Sequence, residues 1–429
     1  NPSSGFYNSV ATQSVRLNDD DSASLQRTFG SAGDRETWTW SAWVKRGNLG
    51  GTATLFCASA GDYNFLFYTD NTLKFEGAFG NVVSSSVFRD VTSWYHIVAI
   101  HDTTEGTASN RFKIYVNNVL QTLSGTYPSG EGEINKAEAH GIGGQASANY
   151  FDGYIAEVNF IDGQALSPTS FGETKEGAWI PKDTSGLTFG TNGFRLQFKQ
   201  TGTGTASTST IGADTANSNH FTSSNLASTD SNLPDCPEDN YPTMNILSTG
   251  ADAITFTEGN LKSSFTSDVD DTHHGCTFAL PKEGKWYWEQ TFTGADTGGS
   301  QAPYCGIYDS DTLALGISDN LFTTSGDFIT YYTHNNAIYI SGSNTNYTGS
   351  IGNQSGAVVG FAVDMDGGHC WVHVNGTYIN GTPTFSDGTN KVASPNTDST
   401  YIPFWSGNGG GVMTWEANFG QASFTGTIP

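Results

Sequence analysis

The chain has 429 residues, of which 52 are Gly, 14% are charged and 13% are aromatic; its 18 Lys and Arg against 42 Asp and Glu give a net charge of −24. Against typical shares of about 7% Gly and about 25% charged residues, it is rich in turn and strand formers and poor in helix formers. With no 3.6-residue apolar period, an all-β fold is expected. The acidic surface excludes nucleic acid as a partner, because phosphates are repelled. No apolar run approaches the roughly 20 residues of a membrane helix, so no membrane insertion is expected.

Residues 1–200 read as the first domain. Trp38–Val44 alternates with period two and puts Trp38, Trp40 and Ala42 on one face and Thr39, Ser41 and Trp43 on the other. Trp94–Ile100 and Arg111–Val116 are further strands, with Asn117-Asn118 as a turn. Tyr150–Phe160 follows, with Tyr154, Ala156, Val158 and Phe160 on one face and a turn at Asp162-Gly163. Ser167-Pro168 starts one helical turn with Ser167 as N-cap. No secretory leader is read at the start, and Asn1 in place of Met suggests processing or truncation.

Residues 201–245 lose the apolar pattern and read as a Thr/Ser/Gly-rich linker. Residues 246–429 read as a second sandwich. Its strands are Lys285–Phe292, Phe328–Tyr332, Ala337–Ile340, Val358–Asp364, Cys370–Val374 and Val412–Asn418, with turns at Asn335-Asn336 and Met365–Gly368.

Chemistry-bearing residues are sparse. Asp19, Asp20 and Asp21 follow a strand; they form either a Ca²⁺ site or a solvated turn. Asp268–Cys276 is expected as a polar loop whose neighbouring His273 and His274 diverge. Asp364–Gly368 lacks the later ligands of a calcium loop and reads as a turn. Glu157 and Glu289 each stand alone on a strand, so no facing carboxylate pair for glycoside hydrolysis is present and no enzyme activity is expected. Tyr304, Tyr347, Tyr378 and Trp405 are the candidates for stacking on sugars. Cys57, Cys236, Cys276, Cys305 and Cys370 show no zinc spacing and read mostly as core residues, with one bridge among the last three left open.

Trp38–Val44, Trp94-Tyr95-His96 to Ile100, Lys113–Asn118 and Tyr154–Phe160 together resemble the laminin G-like, concanavalin A-type jelly roll over residues 14–198. Gly284–Glu289, Val359–Asp364, Trp371–Gly376, Pro403–Trp405 and Asn418–Gln421 resemble a SPRY (B30.2-like) domain. Arg16–Ala23 and Tyr154–Leu166 are similar to segments of structural proteins of marine tailed bacteriophages. The resemblances imply two antiparallel β-sandwich domains joined by the linker. They also imply a non-enzymatic virion surface protein, a head fibre or decoration or a tail adhesin, located on the virion surface. Its implied partners are other virion proteins, copies of itself (a trimer, by analogy with fibres) and a host surface glycan; no cofactor is expected, Ca²⁺ at Asp19–Asp21 being the one alternative. The alternatives are a secreted or cell-surface bacterial lectin-like adhesin and, third, a polysaccharide-cleaving enzyme. Asn1–Tyr7 and Thr201–Ile211 are expected to be ordered by a neighbouring chain.

Overall fold

The computed structural model describes residues 5–58, 63–144, 149–247, 254–265, 269–294, 303–311, 326–333, 336–341, 343–347, 355–409 and 412–428. Asn1–Ser4, Asp268 and Asn335 lie outside the described residues. The chain is all-β, with every strand pairing antiparallel and only three-residue 3₁₀ turns among the described helical elements. It forms two compact units, Asn1–Tyr241 and Pro242–Pro429.

In the first unit, Thr37–Arg46 lies at the centre of one sheet, between Tyr95–Asp102 and Gly153–Asp162. The facing sheet is built from Ala53–Ala58, Tyr63–Phe67, Thr72–Gly77 and Gly80–Val87, with Ala139–Ile142 and Ser24–Thr28 beyond. The period-two pattern holds on Trp38–Val44, but on Tyr154–Phe160 a bulge at Glu157 breaks it: Tyr154 and Ala156 face an outer cluster while Val158 and Phe160 face the core. Trp38, Trp40 and Ala42 enter the core between the sheets, while Trp43 joins Trp94, Tyr154 and Leu233 in a second apolar cluster. The expected helical turn is the 3₁₀ turn Pro168–Ser170; the Ser167 side chain bonds Thr169 Oγ1 instead of capping it.

Of the segment expected as a linker, residues 201–241 are part of this unit. Thr222–Ser224 extends one sheet and Ser231–Leu233 the other. Ile211 and Phe221 are fully buried in the core. Composition misled here because few apolar anchors suffice when one buried carboxylate organises the backbone: Asp214 accepts the amides of Arg195, Ala216, Asn217 and Asn219. Gly202 and Thr210 close a loop on themselves, so Thr201–Ile211 is ordered by its own unit. The N-terminal segment also finds local partners. Glu238 accepts the amides of Ser9, Val10 and Ala11; Phe6 packs edge-on against Tyr7 and lies under Lys175.

In the second unit, Lys285–Gly294 pairs with Ala357–Asp364 on one side and Met413–Asn418 on the other, in a seven-stranded sheet. The six-stranded partner sheet places Tyr401–Gly409 beside Val269–Gly275 and Tyr304–Asp309. Trp288, Phe292, Phe361, Trp405 and Trp415 fill the core between them.

Candidate functional site

The first unit carries a cleft of about 770 Å³ including its mouth. Its rim carries Ser185, Thr188, Thr215 and Asn217, its apolar surface comes from Leu187 and Phe189, and Arg195 lines it. Seven of its nine lining residues lie beyond Leu187, past the last strand read from the sequence in this domain. Arg195 is held from behind. Glu157 sits on a β-bulge with φ 46°, which turns its side chain toward the neighbouring strand Phe194–Leu196. There its Oε2 accepts from Arg195 Nε at 3.0 Å and its Oε1 from Gln197 at 2.9 Å; Asp183 takes Arg195 Nη1 at 3.1 Å. Burial pushes the Glu157 carboxyl up despite Arg195. With both oxygens paired inside the protein, Glu157 positions Arg195 and has no open path to a substrate.

In the second unit, the face of the seven-stranded sheet turned away from the core carries Tyr287, Glu289, Trp371 and His373. A short relay connects three of them. The Gly376 amide donates to His373 Nδ1, so His373 Nε2–H donates to the Tyr287 oxygen at 2.6 Å, and the Tyr287 hydroxyl donates to Glu289 Oε1 at 2.6 Å. The amides of Thr425 and Gly426 also donate to the Glu289 carboxylate. Burial alone would push this carboxyl up; the amides, the Tyr287 hydroxyl and His373 outweigh it and hold the group below the usual carboxylate range. Beside the relay is a cleft of about 330 Å³ including its mouth, lined by Trp286, Trp371, Phe385 and Ile428 with Lys285 and Asp364. Trp286 is 36% exposed, and Lys285 Nζ lies 3.3 Å from Asp364. Both acidic residues singled out in the sequence are therefore structural anchors in this fold.

The predicted sugar-stacking residues fare unequally. Tyr304 and Trp405 are corrected: both are fully buried, Tyr304 beside Phe404 and His273, Trp405 stacked on His274. Each begins or lies within a central strand, so neither ring has a free face. Tyr347 is half-buried against the core with its hydroxyl on the Val392 carbonyl. Tyr378 is half-buried between His373 and Phe385, one ring away from the Trp286 cleft. Trp286, Trp371 and Phe385 were missed as a group because they come together only across paired strands and a distant loop.

Asp19, Asp20 and Asp21 occupy a turn. Asn48 donates to Asp19 Oδ2 and Asn18 to Asp21 Oδ2, and Asp20 and Asp21 are exposed. Burial, then Asp20, pushes the Asp19 carboxyl up. Among the described residues no three His, Cys, Asp or Glu side chains are grouped as a metal site. His273 and His274 diverge as expected, but on the strand Val269–Gly275 and not on a loop; His273 faces Tyr304 and Phe404, and His274 faces Phe265 and Trp405. Asp364–Gly368 is a turn in which the Asp364 carboxylate accepts the Asp366 and Gly367 amides. All five Cys are buried.

Residues 13–170 match the concanavalin A-like lectin/glucanases superfamily, as its laminin G-type model. The fold of the first unit is thus of the jelly-roll lectin kind. No curated protein matches the sequence. Among solved structures, the SPRY domain of human HERC1 is 11% identical at TM-score 0.30, covering 42% of this chain and 99% of its own. The TRIM65 PSpry domain is 10% identical at 0.29, covering 41% of this chain and 89% of its own. A heptameric SAP-like pentraxin from Limulus polyphemus is 14% identical at 0.29, covering 37% of this chain and 79% of its own. No helix among the described residues is long and apolar enough to cross a membrane.

Proposed function

We propose that this protein is a non-enzymatic surface adhesin of a virion that binds a carbohydrate in the polar cleft of its first unit. The second unit is a SPRY-like module devoted to protein contacts, and the assembly is a homo-oligomer on the particle surface. The observation that carries the reading is the make-up of the cleft: hydroxyl and amide side chains on the rim, apolar patches from Leu187 and Phe189, and one arginine positioned by Glu157 and Asp183. That mixture suits a sugar, whose hydroxyls need hydrogen-bond partners and whose C–H faces need apolar ones. The lectin-type family match over residues 13–170 supports the lectin class of fold and ends before the cleft residues. The pairing of both oxygens of Glu157 with Arg195 and Gln197, and of Glu289 with backbone amides, supports binding over hydrolysis.

The test is binding of the intact chain to an array of bacterial envelope polysaccharides, with release of reducing ends followed in parallel. Wild type should bind a subset and release nothing. Thr188→Trp, which fills the cleft from its exposed rim, should abolish binding at unchanged melting temperature. Binding that ignores this substitution, or turnover of any polysaccharide, overturns the reading. Placement on the virion is tested by locating the chain in a density map of intact particles.

A further inference from the structure

The segment Leu233–Tyr241, at the end of the first unit, lies against the outer apolar cluster of the central sheet. Lys45 of the strand Thr37–Arg46 points into it. Its side chain and that of Asp235 are essentially inaccessible to solvent, at 1% and 0%. Around them stand Trp43, Trp94, Tyr154 and Leu233, with Lys45 Nζ 5.7 Å from the centre of the Tyr154 ring. Lys45 Nζ donates to three oxygens: Asp235 Oδ2 at 2.9 Å, Asn240 Oδ1 at 2.9 Å and the Tyr241 carbonyl at 2.7 Å. Asn240 is held in turn by its Nδ2, which donates to the Thr92 carbonyl at 2.8 Å. Asp235 Oδ1 faces Trp94 Nε1 and the Tyr241 amide, both at 3.3 Å.

A lysine, a carboxamide and a carboxylate thus meet inside an apolar pocket. We infer that this trio is a self-modification site, in which Lys45 and Asn240 join through an isopeptide bond with Asp235 as the proton carrier. Apolar surroundings favour a neutral amine and carboxylic acid over a buried ion pair, so Asp235 takes a proton from the Lys45 ammonium and frees its lone pair. A rotation of the Asn240 carboxamide presents Cγ to Nζ; the fixed approach replaces a bimolecular encounter. The Nζ–Cγ bond forms and the Cγ–Nδ2 bond breaks. Lysine gives up two protons: one leaves with Nδ2 as ammonia, and the other stays on Asp235, which ends as a neutral acid beside the new amide. No oxidant or cofactor enters. Burial raises the Asp235 carboxyl above its usual range, in keeping with that end state. The link would tie the central strand to the last residues of the unit and replace a buried charge pair by an amide.

The experiment is intact mass spectrometry of the purified full chain, followed by denaturation and trypsin. The chain should be lighter than its sequence mass by one molecule of ammonia. Digestion should give one branched product in which residues 36–46, uncut at Lys45, are joined to residues 200–262. Asn240→Ala and Lys45→Met should each restore the full mass and remove the branched product. An unshifted wild-type mass with trypsin cutting at Lys45 overturns the inference. So does loss of water with a Lys45–Asp235 link, or loss of ammonia that persists in Lys45→Met.

Discussion

Acidification should weaken the first unit through histidines that its fold keeps neutral. His96 is fully buried, stacked on Trp43, with Ser41 Oγ 2.9 Å from Nε2 and Trp179 Nε1 2.9 Å from Nδ1. An indole N–H can only donate, so Nδ1 accepts and the ring proton resides on Nε2, bonded to Ser41. A second proton on Nδ1 would face that donor and place a charge in an apolar pocket. Burial accordingly pushes the His96 pKa down to about 3, and His101 and His140 to about 4. In the unfolded chain all three return to about 6.5. The unfolded state therefore binds more protons below that value, and stability is fully present above it and lost as pH falls toward the folded values. At pH 5 each histidine costs about 2 kcal/mol, or about 6 kcal/mol for the three, against a usual total of about 5–15 kcal/mol. Glu157 and Asp235, raised by burial, offset part of this, since their protonation favours the folded state at low pH. Urea unfolding followed by near-ultraviolet circular dichroism should show the midpoint of this unit falling steadily from pH 7.5 to pH 5. Trp179→Phe, which removes the donor opposed to a proton on Nδ1, should flatten the fall in part, since burial still disfavours the charged ring. A midpoint that stays constant across this range would refute the reasoning.

Glu157→Gln should destabilise the first unit by about 3–5 kcal/mol, because it leaves the Arg195 charge buried with only the exposed Asp183 as carboxylate partner; chemical denaturation measures this. Trp40→Ala should cost about 3–5 kcal/mol by the same assay, since the ring fills the centre of the core against Phe56 and Phe65. The five thiols should stay unreactive toward an aromatic disulfide reagent until the chain is denatured, then all titrate; burial pushes Cys57, Cys236 and Cys370 up to about 12. Proteinase K at low concentration should leave residues 201–241 attached to the first unit; rapid cutting there would contradict the packing of Ile211 and Phe221.

Fold class was legible because strand periodicity is a local property. The alternation at Trp38–Val44 fixed which side chains meet the core, and the structure places Trp38, Trp40 and Trp43 accordingly. The divergence of His273 and His274 follows from the same two-residue repeat. Burial along a strand is less legible. Tyr304 and Trp405 look like loop aromatics in sequence, yet sheet pairing and the opposing layer enclose them. The role of residues 201–241 was hidden for a related reason. Their composition is that of a linker, and only the Asp214 hydrogen bonds and the apolar sockets for Ile211 and Phe221, supplied by distant strands, make the segment part of a domain. The clefts and the Lys45–Asp235–Asn240 trio depend on residues up to 195 positions apart. Their chemistry arises where side chains of unremarkable type converge in space, and tertiary packing alone decides that convergence.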